Sequence, residues 1–421
     1  MPDRTQAPVY NKPEIFALPL VSESYLTNGV PYFGMTSGNQ AAVKLELVFK
    51  GGHLNEPANG LSFFTAKMLT AGTKNKTAAQ IEETIASYGA FIEIGSGYDQ
   101  VAVTVYCLDK FLKEVSELLA ELIQEAVFPE EELQNLKNIQ LQNIRVNMEK
   151  TSYLASVNLR SRFFENNHPY SRVITEDVIK AIDRKDLLSF YPELFRLSDC
   201  SIFVAGGRID CYSVINEIFG NIPVEPLSYA DRWQQVSYGT GLVHTEKEGV
   251  LQSTIRLAMP AVGLSNPDYP AYALLNEIFG GYFGSRLMKN IREDKGYSYG
   301  IHSSLVNHLE AAYMVCGTDV NKEVRENTIN EIYAEMDRLC REPVSESELE
   351  TVKNYMLGSY LNSVNTSFAV LEKFKTLYYH KLPSTFYEDF YTSVNEITSE
   401  KMLDLSSCFF DRSKMLLVSV G

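Results

Sequence analysis

The sequence predicts an α+β protein built from two similar halves. Three observations carry that expectation: strand-like segments interleaved with amphipathic helices, a return of the same element order 210 residues later (Val43 to Ser253), and a Pro/Gly/polar stretch between the two runs. A period of that length is too long for a solenoid and points to a duplicated domain. The expected division is an N-terminal domain over 1–220, a linker over 221–241 and a C-terminal domain over 242–421.

In the first half, Val43 to Lys50 alternates apolar and polar residues, the period of a half-buried strand. The turn-rich run Gly51 to Gly60 then leads into an apolar helical segment reaching Met68-Leu69. Asp109 opens an amphipathic helix with Leu112, Val115, Leu119, Leu122 and Ile123 on one stripe. Pro129 opens another, and its front is acidic, as the helix dipole favours. A strand over 201–206 and a short helix near 214–219 close the half. The second half repeats this order: a strand over 253–260, the turn GLSNPDYP, the helix AYALLNEIFGG, the acid-fronted helix SESELETVKNYMLGSYLNSV and a terminal strand over 414–421. The aromatic run Phe374 to His380 reads as a helix packing on a sheet, with a subunit interface as the rarer use of such a run.

Composition narrows the function. The chain has 421 residues, 45 % of them hydrophobic, with 38 basic and 53 acidic residues and a net charge of −15. Such a chain buries a sizeable core without disulfide staples, and its charge argues against nucleic-acid binding, which rests on clustered Lys and Arg. The acidic surface keeps the protein soluble, and it would also draw in basic peptides. No run of about 20 apolar residues suggests a membrane span. The N-terminus lacks a basic region followed by an apolar core, and the six cysteines are scattered without a Cys-x-x-Cys. Both features point to a cytoplasmic protein with reduced thiols; a leader removed beforehand would be compatible with the periplasm.

Motifs of the common enzyme classes are missing. There is no Walker-A loop, and Gly239-Thr240-Gly241 continues Leu-Val-His without the third glycine of a dinucleotide site. Gly284-Ser285 does not extend to a nucleophile elbow. The six histidines never pair at the i, i+4 spacing that puts two imidazoles on one helix face.

A resemblance emerges from this order of elements taken with Tyr25-Leu26-Thr27-Asn28-Gly29-Val30, the segment Gly60 to Lys74, and above all Gly284-Ser285-Arg286-Leu287-Met288-Lys289-Asn290-Ile291-Arg292-Glu293-Asp294-Lys295-Gly296-Tyr297-Ser298-Tyr299. Together they resemble the pitrilysin/insulinase family of inverted-motif zinc peptidases, and within it the small-subunit branch that includes the mitochondrial processing peptidases. The resemblance spans nearly the whole chain. It implies two homologous domains, each an antiparallel-rich sheet packed with helices on one side.

Active members of that family carry His-x-x-Glu-His on the first-domain helix and a Glu downstream as third zinc ligand. Here the corresponding positions hold Phe63, Ala66, Lys67 and, in the long helix after Pro129, Asn143. No histidine lies between His53 and His168, so no shift of the alignment restores the motif. No metal or other cofactor is therefore expected in this chain.

The family's substrate-holding Arg and Tyr, seven residues apart, are matched by Arg292 and Tyr299. Tyr297 competes for the Tyr role, and strand periodicity would point both rings the same way. A surface ion pair of Arg292 with Glu293 or Asp294, and a core position for Tyr299, are the bland alternatives. Arg286 reads as structural, positioning the turn into the following helix.

The resemblance thus implies the non-zinc-binding subunit of a heteromeric metallopeptidase. The partner would be a related chain bearing His-x-x-Glu-His and the zinc, and the substrates unfolded peptides added as a strand to a sheet edge of that partner. The alternative is a catalytically inactive pseudopeptidase serving in interaction or assembly, as the core subunits of the respiratory bc1 complex resemble this family without cleaving anything. Hydrolysis by a homodimer is disfavoured, because two copies still lack zinc ligands.

Overall fold

A computed structural model describes residue 5 and residues 17–36, 38–165, 167–225 and 236–421. Most of the N-terminal stretch, and residues 226–235 of the expected linker, lie outside the described residues. Eleven strands are described: β1 (Ser22–Tyr25), β2 (Pro31–Met35), β3 (Ala42–Lys50), β4 (Phe91–Ser96), β5 (Gln100–Leu108), β6 (Cys200–Gly206), β7 (Gly241–Thr245), β8 (Gln252–Pro260), β9 (Ser298–Asn307), β10 (Ala312–Asn321) and β11 (Leu416–Val420).

They form two sheets, ordered β1-β2-β6-β3-β5-β4 and β7-β11-β8-β10-β9. Only the β2–β6 and β7–β11 pairs are parallel. The sequence β2-β6-β3-β5-β4 matches β7-β11-β8-β10-β9 strand for strand, so the duplicated, antiparallel-rich architecture is observed. β4 and β9 occupy corresponding free edges.

Each sheet packs one face on helices of its own half. In the first, Val43, Leu45, Leu47 and Phe49 meet Leu112, Val115, Leu119 and Leu122, the stripe set by the spacing of the 112–125 helix. In the second, Ile255, Leu257 and Met259 meet Ile329, Ile332 and Met336.

The other faces are closed by an exchange between halves. The helix Thr151–Phe163 lays Ala155, Leu159 and Phe163 against Ala258, Leu416 and Val418 of the second sheet. The helix Ser367–Tyr379 lays Leu371, Phe374 and Tyr378 against Phe33 and Phe203 of the first. The aromatic run does form a helix on a sheet, and the sheet belongs to the other half.

This exchange corrects the reading of β3 as a half-buried strand, because Lys44 and Glu46 on its polar face are buried. They form an ion pair at 3.1 Å, Lys44 also pairs with Glu372, and Lys375 reaches Glu46 at 2.7 Å. Charges at this depth persist because the 367–379 helix supplies their counter-charges. The helix AYALLNEIFGG likewise departs from expectation: it is α-helical over Tyr269–Asn276 and widens to π-type turns over Glu277–Gly281.

The halves also meet at the tips of corresponding hairpins. Asp99, in the β4–β5 turn, faces His308 Nδ1 at 3.6 Å and accepts hydrogen bonds from the Leu309 N–H (3.2 Å) and the Tyr170 hydroxyl. Burial alone would raise the Asp99 carboxyl, but the hydrogen bonds from His308 and Tyr170, the His308 charge and the Leu309 N–H outweigh it and hold the group below its ordinary value. Because the folded pKa is depressed, this contribution is fully present above the unfolded value of about 3.9 and is lost as pH falls through the folded value. Asp99→Asn should therefore be less stable than wild type in urea unfolding at neutral pH, with the gap narrowing below about pH 4. A gap that stays constant down to the acid transition would show that Asp99 does not latch the hairpins.

Candidate functional site

The helix Leu61–Lys67 starts at Gly60, whose φ of +83° lies in the left-handed region that favours glycine. Its first N–H groups are met by the buried Glu56 carboxylate, which accepts from Gly60 (3.1 Å) and Ser62 (2.9 Å). His53 and Arg172 approach the same carboxylate at 3.2 and 3.7 Å.

Along this helix, Phe63 is half-buried, Ala66 is buried and Lys67 is exposed. The Lys67 ammonium donates to the Ile94 carbonyl of edge strand β4 at 2.9 Å. Asn143 sits on the helix Glu130–Met148 and lines, with Phe63, a cavity of about 240 Å³. Phe63 and Asn143 therefore line one cavity, Ala66 is buried, and Lys67 is turned to the sheet edge.

These residues do not fit a zinc ion. Phe63 and Ala66 carry no donor atom, and Lys67 is a cation already engaged as a donor. His53, which also lines the cavity, is hydrogen-bonded to Glu56. Among the described residues no group of three or more His, Cys, Asp or Glu is placed to hold a metal.

Arg292 and Tyr299 lie elsewhere, and neither lines that cavity. Arg292 belongs to the helical turns Met288–Asp294, and its guanidinium sits 4.6 Å from the ring centre of the exposed Phe283. Among the described residues it makes no ion pair with Glu293 or Asp294. Tyr299 is the second residue of edge strand β9 and is 95 % exposed.

Tyr297 corrects the expectation that both rings share a direction. It precedes β9, its N–H donates to Ile291 O at 2.9 Å, and its ring packs on the second core. Strand alternation does not reach back to it, because Gly296 (φ +65°) turns the chain just before. Arg286 makes a two-pronged bond to Glu348 at 3.0 and 2.9 Å, tying its segment to the first turn of the Glu346–Asn362 helix.

Sequence reasoning missed Arg160 and Arg172, which reach the cavity from a distant helix and loop. Neither stands in a local motif, so their convergence with Phe63 and Asn143 left no signal in the spacing.

The sequence profile of insulinase (peptidase family M16) matches residues 35–176, and that of the peptidase M16 inactive domain matches residues 181–356. A Bacillus subtilis protein named as the uncharacterized zinc protease YmxG is 24 % identical over 325 residues, 75 % of this chain and 77 % of that protein. A Helicobacter pylori protein named as the non-peptidase homolog YmxG is 22 % identical over 377 residues, 86 % of this chain and 84 % of its own. The crystal structure of a peptidase M16 inactive domain from Pseudomonas fluorescens shares the fold with a TM-score of 0.84 at 22 % identity, covering 95 % of this chain and 98 % of that one. The duplicated sheets and the two adjoining profile matches agree: the chain belongs to the insulinase family, peptidase family M16.

Proposed function

We propose that this chain is the non-zinc-binding subunit of a two-chain peptidase, inactive alone and contributing Arg292 and Tyr299 to substrate binding and transition-state stabilisation. The observation that carries the reading is a contrast. The positions that would hold zinc carry Phe63, Lys67 and Asn143 in place of His, His and Glu, while Tyr299 stands on a free sheet edge and its phenol has no hydrogen-bond partner among the described residues.

A guanidinium steadied over an aromatic ring can hold a substrate carbonyl through its fork of donors. A phenol that donates to a developing oxyanion stabilises the tetrahedral state. The partner is a related chain carrying His-x-x-Glu-His and its zinc, and the substrates are unfolded peptides. The acidic balance of this subunit favours basic ones. Six free thiols, four of them buried, suit a cytoplasmic setting, and no helix of the described residues is long and apolar enough to cross a membrane.

Affinity capture of this chain from its native cell, with mass spectrometry of what accompanies it, tests the reading. The expected result is a stoichiometric partner of similar length bearing His-x-x-Glu-His. Capture of the chain alone, or with unrelated proteins only, would favour a second reading: a pseudopeptidase acting in interaction or assembly. The name of the Helicobacter pylori relative, non-peptidase homolog, speaks for that second reading.

A further inference from the structure

The cavity at the emptied zinc position is unlike the rest of the molecule in charge. The chain carries 53 acidic against 38 basic residues, yet among the described residues no carboxylate lines this space. Arg160, Arg172 and His53 do, together with the phenols of Tyr98 and Tyr153. Gln140, Asn143 and Asn147 add carboxamides at successive helical spacings, so one stripe of the Glu130–Met148 helix faces the cavity with amides.

The two arginines are differently employed. Arg172 Nη1 donates to the backbone carbonyls of His53 (3.2 Å) and Glu56 (3.1 Å), and the buried Glu56 carboxylate, 3.7 Å away, partly offsets its charge. Arg160 has no carboxylate partner among the described residues. Its Nη1 donates to Tyr98 Oη at 2.6 Å, and its Nε is buried without an acceptor. The Asn59 Oδ1 atom is also buried and unpaired. A half-buried guanidinium without a carboxylate partner among the described residues is costly, and an anion bound in the cavity it lines would offset its charge.

We propose that this cavity binds the C-terminal carboxylate of a peptide, held between Arg160 and Arg172. A volume of about 240 Å³ suits a terminal residue rather than a long segment. Phe63, Ile144, Val173 and Ile174 give the cavity an apolar wall, which matches a carboxylate attached to an apolar side chain better than a bare phosphate. The amide stripe supplies partners for the peptide backbone. In this family member the site that would hold a cation has become one for an anion. The site is separate from Arg292 and Tyr299 and does not depend on their role.

Calorimetric titration of the full chain with N-acetyl-Ala-Leu as the free acid, with its C-terminal amide and with inorganic phosphate tests the proposal. The free acid should bind, the amide about ten- to a hundredfold more weakly, as expected for the loss of a charged hydrogen-bonded contact, and equimolar phosphate should not displace the acid. Arg160→Met should weaken the acid to a similar extent. Asn143→Asp, at an exposed position, puts a like charge into the cavity without touching the core and should do the same if Arg160→Met misfolds. Equal binding of acid and amide, displacement by equimolar phosphate, or no binding of the acid to wild type would each overturn it.

Discussion

Tyr299→Phe is expected to lower the turnover of the reconstituted two-chain peptidase about 10²–10³-fold, the range seen when one oxyanion donor is removed. The substitution keeps the ring and deletes only the hydroxyl. Because Tyr299 is almost wholly exposed and none of the described residues uses its hydroxyl, folding should be untouched, and the loss should fall on kcat with KM little changed. Tyr297→Phe is the matched control: its ring packs on the second core, and turnover should stay at the wild-type level. Arg292→Lys keeps the charge but loses the fork, and should raise KM as well as lower kcat. An unchanged kcat for Tyr299→Phe in an active pair would remove the residue from the reaction and leave the assembly reading in its place.

Phe203→Ala should destabilise the protein by about 3–5 kcal/mol, the cost of emptying a large core site. Phe203 is fully buried on β6, stacks on Phe33 with ring centres 5.0 Å apart, and meets Tyr378 and Tyr379 of the 367–379 helix at 6.0 Å each. The cavity would therefore open between the two halves rather than inside one. Leu371→Ala, from the helix side of the same cluster, should cost about 2–5 kcal/mol. The double variant should fall short of or exceed the sum, since both truncations share one cavity. Urea unfolding of the four proteins measures this. Additive losses would mean that the helix and the sheet do not behave as one packed unit, contrary to the exchange of helices described above.

Much of the strand and helix order was legible because it is written in local periods. Val43 to Phe49 sends its odd-numbered residues to the first core, and the 112–125 helix keeps its apolar stripe where the 3.6-residue period puts it. What that period could not reveal is the fate of a strand's other face. The alternation in β3 reads as polar and solvated; only the arrival of a helix some 320 residues later, with Glu372 and Lys375 in register, makes Lys44 and Glu46 buried. Tyr297 and Tyr299 show the same limit at short range, because a two-residue argument holds only within a strand and β9 begins between them.

The expectation that this chain holds no zinc, by contrast, rests on the sequence alone. A side chain without a donor atom cannot ligate in any geometry, so Phe63 at the first expected ligand position, with the cation Lys67 at the second, carries that expectation before folding is considered. The duplication was also legible by itself, since a repeated order of elements needs no coordinates. What only the tertiary structure decided is which residues gather around Phe63 and Asn143. Phe63, Asn143, Arg160 and Arg172 come from separate helices and a loop, and their convergence on one cavity without a lining carboxylate depends on long-range packing, which leaves no trace in the spacing of residues along the chain.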